Sequence, residues 1–172
     1  KDYKETRFNN GWITNAILKI TLPPLDTNNN NTNYLNWVDS IGHAIIDKVV
    51  MKLGKTTLID GTDYGLWLDI YNELNDTNQE EWDLIGKHRN VQSLKIYQQK
   101  SKILYIPLNF WFSKNKQSAF PYFLCRGSNY LNIDITLKNL KNLYLTDLAT
   151  NNIPSAITQE TLKITSVDII FE

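Results

Sequence analysis

The sequence predicts an all-β fold, an antiparallel jelly-roll sandwich with one short inserted helix. Several short segments alternate apolar and polar residues with the period of two that a half-buried strand requires. Turn-forming residues separate these segments, and one stretch changes to the helical period. The chain has 172 residues and shows no repeat at solenoid period, so we expect residues 1–172 to form a single jelly-roll domain.

The first predicted strand runs from Asn15 to Leu22, and its apolar residues share one face. They are Ala16, Leu18, Ile20 and Leu22. Pro23 and Pro24 end the strand because proline cannot donate a hydrogen bond to the ladder. The polar tract DTNNNNTN at 26–33 has nothing to bury and is predicted to be a surface loop.

A predicted hairpin comes next. Ile45 to Leu53 forms one strand, and the segment TTLID at 56–60 begins the other. Gly54 and Lys55 lie between them, and glycine at the first of two central positions suits a tight turn.

The period then changes to that of a helix. Trp67, Ile70, Tyr71 and Leu74 recur at i, i+3, i+4 and i+7, behind Asp63 as a plausible N-cap. We therefore predict one short amphipathic helix at about 64–74.

The aromatic segment LYIPLNFWF, from 104 to 112, is predicted to be a strand of the core. Its period-two set is wholly apolar and suits the wall of a sandwich; it comprises Leu104, Ile106, Leu108, Phe110 and Phe112. Tyr105, Asn109 and Trp111 fall on the opposite face, where a solvated strand seldom carries Trp. We expect a neighbouring jelly roll or subunit to cover that face, because interfaces favour Trp and Tyr.

Two further strands complete the predicted sandwich. The cleanest alternation is in YLNIDITLK at 130–138, where the apolar residues Leu131, Ile133, Ile135 and Leu137 face one way. The segment from Leu162 to Phe171 alternates less regularly. We predict that Ile133 lies at the centre of a core-facing row.

Composition excludes several classes of function. Eighteen basic residues balance eighteen acidic ones, so no net field draws the chain to nucleic acid or to an anionic membrane. No stretch approaches the length of a membrane span. Cys125 is the single cysteine, which excludes an internal disulfide, and its expected role is that of a small buried apolar residue.

The sequence contains no constellation that predicts catalysis or metal binding. His43 and His88 are the only histidines, and their spacing does not place two imidazoles on one metal. Glu80 and Glu81 are read as part of a polar loop, and the pair Asp69 and Glu73 as the solvent face of the helix. We predict no catalytic, cofactor-binding or metal-binding residue and no enzyme.

Two glycosylation sequons, at Asn30 and Asn75, lie in predicted loops where a glycan could be accommodated. In a chain this rich in asparagine, chance explains them better.

The order of several composite motifs resembles the major capsid proteins of the large nucleocytoplasmic DNA viruses. The element SIGHAII, from Ser40 to Ile46, precedes a strand, a glycine turn and the helix GLWLDIYNEL, from Gly65 to Leu74. The stretch LYIPLNFWFSKN resembles another motif of that family, although Ser113 to Ser118 departs from the family's usual turn sequence after F-W-F.

The resemblance implies a structural protein of an icosahedral shell, found in the virion and assembled in the host cytoplasm. It implies two tandem jelly rolls and homotrimeric, pseudo-hexagonal capsomers. The partners would be further copies, neighbouring capsomers and minor capsid proteins, with no direct contact to nucleic acid. The chain begins without an initiating Met and ends where the family's second jelly roll would start, so we expect it to be the N-terminal jelly roll of a longer protein.

A carbohydrate-binding jelly roll of lectin type is the alternative. A lectin should present an exposed aromatic platform with Asp and Asn nearby for sugar hydroxyls or calcium. A shell protein should bury the same aromatic residues between domains. The burial of Trp111 is the feature that distinguishes the two.

Overall fold

A computed structural model of the chain describes residues 11–25, 35–75, 79–87, 101–125, 130–146 and 164–172. Ten strands occur in this part of the chain, and they are β1 (Trp12–Ile13), β2 (Ala16–Leu22), β3 (Leu35–Trp37), β4 (Ile46–Leu53), β5 (Thr56–Thr62), β6 (Lys102–Pro107), β7 (Phe120–Pro121), β8 (Leu131–Leu137), β9 (Tyr144–Thr146) and β10 (Ser166–Phe171). The helices are α1 (Ile41–Ala44), α2 (Tyr64–Leu74) and α3 (Gln79–Ile85). The predominance of short strands confirms the predicted all-β class.

Two three-stranded antiparallel sheets form the body of the fold. One sheet has the order β10-β2-β6 and the other has the order β5-β4-β8. The pairs β1-β7 and β3-β9 add two small antiparallel ladders. Residues from both large sheets meet in one hydrophobic core, as in a sandwich.

The central strands confirm the predicted alternation. In β2 the four predicted residues are buried and the residues between them are half-buried. The row predicted on the aromatic segment is buried without exception, from Leu104 to Phe112. In β8, Leu131, Ile133, Ile135 and Leu137 do pack toward the core, but they remain half-buried.

The predicted hairpin forms as expected. Leu53 pairs with Thr56, which leaves Gly54 and Lys55 as a two-residue loop. Gly54 has φ +56°, a value that glycine adopts without the steric cost a Cβ atom would bring. The Gly54 amide also donates to the carbonyl of Tyr130, at 2.9 Å, so the loop is held to the start of β8.

The helix predicted at about 64–74 is α2, with the bounds Tyr64–Leu74, but its predicted buried face is wrong. Trp67, Ile70 and Leu74 are exposed, whereas Tyr64, Gly65, Leu68 and Asn72 are buried. Asp63 occupies the N-cap position with φ +52°, and its side chain makes no capping hydrogen bond. The buried side is the one that packs against α1 and β4.

The other two helices were not predicted. The helix α1 is a single turn within the SIGHAII element, and α3 packs against β6 and α1. Glu80 and Glu81 belong to α3 rather than to a polar loop. Within the described residues, no helix is long and apolar enough to cross a membrane.

The strand predicted to run through Phe112 ends earlier, at Pro107. Asn109 has φ +44°, outside the extended region, and Trp111–Ser113 forms a 3₁₀ helix. Asparagine tolerates this left-handed conformation better than most residues. Trp111 therefore lies on a turn beyond the strand, and not on the back of the strand as predicted.

Candidate interaction surface

The 3₁₀ turn that carries Trp111 combines a buried aromatic base with an exposed indole. Phe110 and Phe112 are buried, and Trp111 between them is 39 % exposed. The indole meets the rings of Phe112 and Phe120 edge to face, with centroids 5.1 and 6.1 Å apart. These contacts fix the indole while leaving part of it available to a partner.

The charge beside this turn is positive. Lys114 and Lys116 are exposed, and the sequence from 104 to 127 contains no carboxylate. We call Trp111, Lys114 and Lys116 the Trp111 surface. Protein interfaces are enriched in Trp and have a polar rim, which suits an indole bordered by lysines.

Tyr105, like Trp111, was predicted to be covered by a neighbouring domain or subunit, but a residue of the same chain covers part of its ring. It pairs with Lys19 across β2 and β6, and the Lys19 ammonium lies 6.0 Å from the centroid of the Tyr105 ring. The ring is half-buried. Tyr105 thus contributes less to an unsatisfied surface than the strand pattern indicated.

A second exposed aromatic pair lies on the small sheet that follows the turn. Trp12 of β1 is 60 % exposed, and its ring meets Phe123 edge to face at 5.4 Å. Its strand neighbour Ile13 pairs with Phe120, which in turn supports Trp111. The Trp111 surface therefore rests on the same small sheet as this pair.

The outward side of α2 is apolar as well. Trp67, Ile70 and Leu74 are exposed there, together with Leu66. The Trp67 ring lies between Tyr64 and Tyr71, at centroid distances of 5.1 and 5.3 Å. Glu73 of α2 forms an ion pair with Lys87, so the exposed residues that distinguish this surface are apolar.

Beneath α2 lies a buried polar network centred on His43. The His43 side chain is buried, and its Nδ1 lies 3.1 Å from Oδ1 of Asp69. Its Nε2 lies 3.4 Å from Nδ2 of Asn72. Asn109 then donates to Oδ1 of Asn72 at 3.5 Å, so the network links α1 and α2 to the turn before Trp111.

Tyr64 provides a second connection from α2 to this turn. Its hydroxyl donates to the carbonyl oxygen of Leu108 at 2.6 Å, and its ring lies 6.3 Å from that of Phe110. Burial raises the pKa of the Tyr64 hydroxyl well above its usual value. Tyr64 therefore stays protonated and serves as a donor that fixes the turn.

The electrostatics of the network favour a neutral His43. Burial lowers the pKa of the His43 imidazole, and the nearby Lys87 ammonium acts in the same direction. The hydrogen bond and the charge of Asp69 oppose this shift without cancelling it. Asp69 is thus engaged with a buried side chain, which corrects the prediction that it is only a solvated charge.

The remaining titratable groups that the structure describes lie in separate contacts. Among the described residues, no group of three or more His, Cys, Asp or Glu side chains could hold a metal ion. Glu73 forms an ion pair with Lys87. Burial lowers the pKa of Lys102 to about 8, with Asp83 acting against it. Cys125 is half-buried, and burial raises the pKa of its thiol.

The other positions named from the sequence fall in different places. His88 and the sequon at Asn30 lie outside the described residues. Asn75 is exposed, and its side-chain amide donates to the Tyr71 carbonyl at 2.6 Å. The sequence analysis missed the roles of Asn72 and Asn109. The one available signal was for Asn72, which is a polar residue among apolar neighbours in the helix.

Comparison with known proteins gives a family and two viral relatives. The family model described as major capsid protein N-terminus matches residues 8–168. Capsid protein 1 of Acanthamoeba polyphaga mimivirus is 29 % identical over 125 residues, which cover 63 % of this chain and 21 % of that protein. Probable capsid protein 4 of the same virus is 32 % identical over 111 residues, covering 63 % and 20 %. The chain spans about a fifth of the length of these curated relatives.

Two solved structures share the fold. PBCV-1 VP54, described as fitted into a reconstruction of the virophage Sputnik, matches 88 % of this chain and 38 % of its own, with a TM-score of 0.50. A quasi-atomic model of the PBCV-1 virus capsid matches with the same coverage and a TM-score of 0.51. Sequence identity is 13 % in both cases, so the likeness concerns the fold alone. It confirms the predicted jelly roll.

Proposed function

The chain belongs to the family of major capsid proteins, through the N-terminal part that the family model describes, and we propose on this premise that it is a structural component of an icosahedral viral shell. Family membership confirms the resemblance that the motifs indicated. The proposal extends to its place in the virion of a large DNA virus and to assembly in the host cytoplasm. The protein acts by association and catalyses no reaction.

We propose further that the chain supplies one jelly roll of a two-jelly-roll protein, and that the complete protein forms trimeric, pseudo-hexagonal capsomers. The partners are then other copies of the protein, neighbouring capsomers and minor capsid proteins, without direct contact to nucleic acid. The curated relatives are about five times longer than the matched region, which leaves room for a second domain in those proteins.

The observation that carries this proposal is the exposed part of Trp111. The two ring contacts hold the indole in place, so its exposed part offers an interface a rigid anchor with little entropy left to lose. Lys114 and Lys116 give the anchor a positive border.

The experiment is sedimentation of the purified complete protein, followed by electron microscopy of the sedimenting species. We expect a trimer at micromolar concentration, with a three-fold outline in projection. A protein that remains monomeric across that range, in both low and moderate salt, would contradict the trimeric part of the proposal.

The lectin alternative rests on the same indole, because a partly exposed Trp can also stack on a sugar ring. It additionally requires Asp and Asn beside the platform; Asn109 and Asn115 lie near Trp111 in the sequence, but no carboxylate does. Binding to an immobilised glycan panel separates the two functions. Saturable glycan binding that Trp111→Ala abolishes, by a protein that stays monomeric, would favour the lectin.

A further inference from the structure

A continuous set of hydrogen bonds leads from the buried His43 to the turn that carries Trp111. Asp69 contacts Nδ1 of His43, Asn72 contacts Nε2, and Asn109 contacts the oxygen of Asn72. The contact between His43 and Asn72 is buried, and the one between Asn72 and Asn109 is partly buried. Breaking these bonds therefore leaves polar atoms with little access to water.

The donors and acceptors of this set have a defined direction when His43 is neutral. The nitrogen that faces the Asp69 carboxylate must carry the proton, because a carboxylate only accepts. The other nitrogen, Nε2, then has a lone pair and accepts from the Asn72 amide. Asn72 is thereby oriented with its oxygen toward the Asn109 amide, which donates to it.

Protonation of His43 reverses this direction. Both ring nitrogens then carry a hydrogen, so Nε2 becomes a donor that faces the donating amide of Asn72. Asn72 relieves the conflict by turning its oxygen toward His43, which presents its amide nitrogen to that of Asn109. Asn109 must then turn its own amide or lose the bond.

Asn109 is the residue at which the chain leaves β6 and enters the Trp111 turn. Its φ of +44° is the unusual backbone angle that ends the extended segment. Only the buried Phe110 separates it from Trp111. A change at the Asn109 side chain therefore acts on the conformation that positions the indole.

We propose that the His43, Asp69, Asn72 and Asn109 side chains form a positioning relay, which sets the geometry of the Trp111 turn and transmits the protonation of His43 to it. His43 is a positioning residue in this scheme, since it acts on Trp111 through two asparagines. The consequence for assembly rests on the proposed function, because it requires the Trp111 surface to be a contact between subunits. The relay itself requires only the fold.

The charged groups that act on His43 determine the pH range of the relay. Asp69 of α2 favours the protonated imidazole. Lys87, which follows α3 and pairs with Glu73 of α2, disfavours it. The strands β4 and β6 also pack against α1, and the apolar Ile106 of β6 lies close to Gly42. His43 therefore changes charge at a lower pH than an exposed histidine does.

The test is a pH titration of the protein labelled with 5-fluorotryptophan, followed by fluorine NMR and extended downward from about pH 7.5 until the His43 imidazole has titrated. The chain has five tryptophans and two histidines, so substitution assigns each resonance. We expect the Trp111 resonance to shift with the same midpoint as the His43 imidazole. His43→Gln should abolish that shift, and the matched control His88→Gln should leave it unchanged.

Asn109→Gly separates the relay from the turn itself. Glycine keeps the positive φ that the turn needs but has no side chain to bond Asn72. We expect His43 to titrate as before in this variant while the Trp111 resonance no longer follows it. The relay is refuted if Trp111 still follows His43 in Asn109→Gly, if Trp111 does not respond in the parent, or if all five resonances move together as in acid unfolding.

Sedimentation of the same samples distinguishes the failure of the relay from the failure of the proposed function. We expect the association constant to change by about tenfold or more across the His43 midpoint in the parent, and not in Asn109→Gly. A Trp111 shift in a protein that never associates would support the relay and contradict the capsomer. Association that is equally strong on both sides of the midpoint, with a normal Trp111 shift, would limit the relay to the turn and refute its effect on assembly.

Discussion

Gly65 of α2 lies directly against His43 of α1, so close that a Cβ atom at Gly65 would overlap the carbonyl oxygen of His43. The same atom would lie 2.7 Å from the carbonyl oxygen of Ile46, at the start of β4. Neither neighbour can move alone, because both belong to the backbone. This contact fixes which side of α2 is buried, and it brings Asp69 and Asn72 to the imidazole of His43.

Gly65→Ala should therefore destabilise the protein. A methyl group at this position forces α2 away from α1, and the overpacking should exceed the helix propensity of about 1 kcal/mol that alanine gains over glycine. We expect a net loss of about 2 kcal/mol in the free energy of unfolding, measured by urea denaturation. Gly11→Ala is the matched control, because a Cβ there meets nothing within 4 Å. Equal effects of the two changes would contradict the close contact.

Two leucines of α2 test which face of the helix is buried. Leu68 is fully buried and Leu66 is 59 % exposed, although they lie two residues apart. Leu68→Ala should cost about 2 to 5 kcal/mol, the range for a leucine removed from a core. Leu66→Ala should change stability by about 0.5 kcal/mol or less, as surface substitutions do. A comparable loss of stability in both variants would show that Leu66 is buried as well, and would contradict the buried face described for α2.

The row predicted on β8 can be tested at Ile133, which packs toward the core but is half-buried. Ile133→Asp places a charge against apolar neighbours and should cost about 2 kcal/mol, less than at a fully buried site. Thr136→Asp lies on the exposed face of the same strand, opposite Lys48, and should be nearly neutral. Thermal unfolding measures both. An unchanged midpoint for Ile133→Asp would show that this face is not part of the core.

Stability should also fall in acid because of His43. Its pKa in the folded protein is lowered by burial, whereas the unfolded chain has the ordinary value of about 6.5. Folding therefore favours the neutral form, and the stabilisation is complete above about pH 6.5 and is lost as the pH falls toward the folded value. Urea denaturation at a series of pH values should show a smaller decline for His43→Gln than for His88→Gln. Parallel curves for the two variants would contradict a lowered pKa at His43.

The sequence predicted secondary structure correctly wherever a regular row of apolar residues packs against the core. The strands β2 and β8 and the hairpin at Gly54 were predictable because period-two alternation and a glycine turn are local signals. The bounds of α2 were predictable for the same reason. Its buried face was not, because the side that meets α1 is selected by the small Gly65 and by the hydrogen bonds of Asn72, while Trp67 and Ile70 remain outside.

The position of Trp111 was unpredictable for a related reason. The run from Leu104 to Phe112 keeps its alternation of buried residues although the strand ends at Pro107, so the pattern gave no sign of the break. The break depends on Asn109, whose left-handed backbone is held by two tertiary hydrogen bonds. Tyr64 donates to the Leu108 carbonyl, and the Asn109 side chain donates to Asn72. Hydrogen bonds to residues distant in sequence cannot be recognised from the apolar periodicity of a short segment.

Trp111→Ala is the prediction on which the proposed function depends most directly. The indole is partly exposed and makes two edge-to-face contacts, so its loss should cost the fold about 1 to 2 kcal/mol. If the Trp111 surface is a contact between subunits, the same change should weaken association by about 2 kcal/mol or more, which is roughly thirtyfold in the dissociation constant. Sedimentation gives the second quantity, and urea denaturation gives the first.

Trp67→Ala is the matched control for this comparison. Trp67 is also partly exposed and also meets two aromatic rings, Tyr64 and Tyr71, so its removal should cost the fold a similar amount. A difference in association between the two variants therefore cannot come from stability alone. If Trp111→Ala associates as tightly as the parent, or no more weakly than Trp67→Ala, the contact does not lie at the Trp111 surface, and the outward side of α2 becomes the surface to test next.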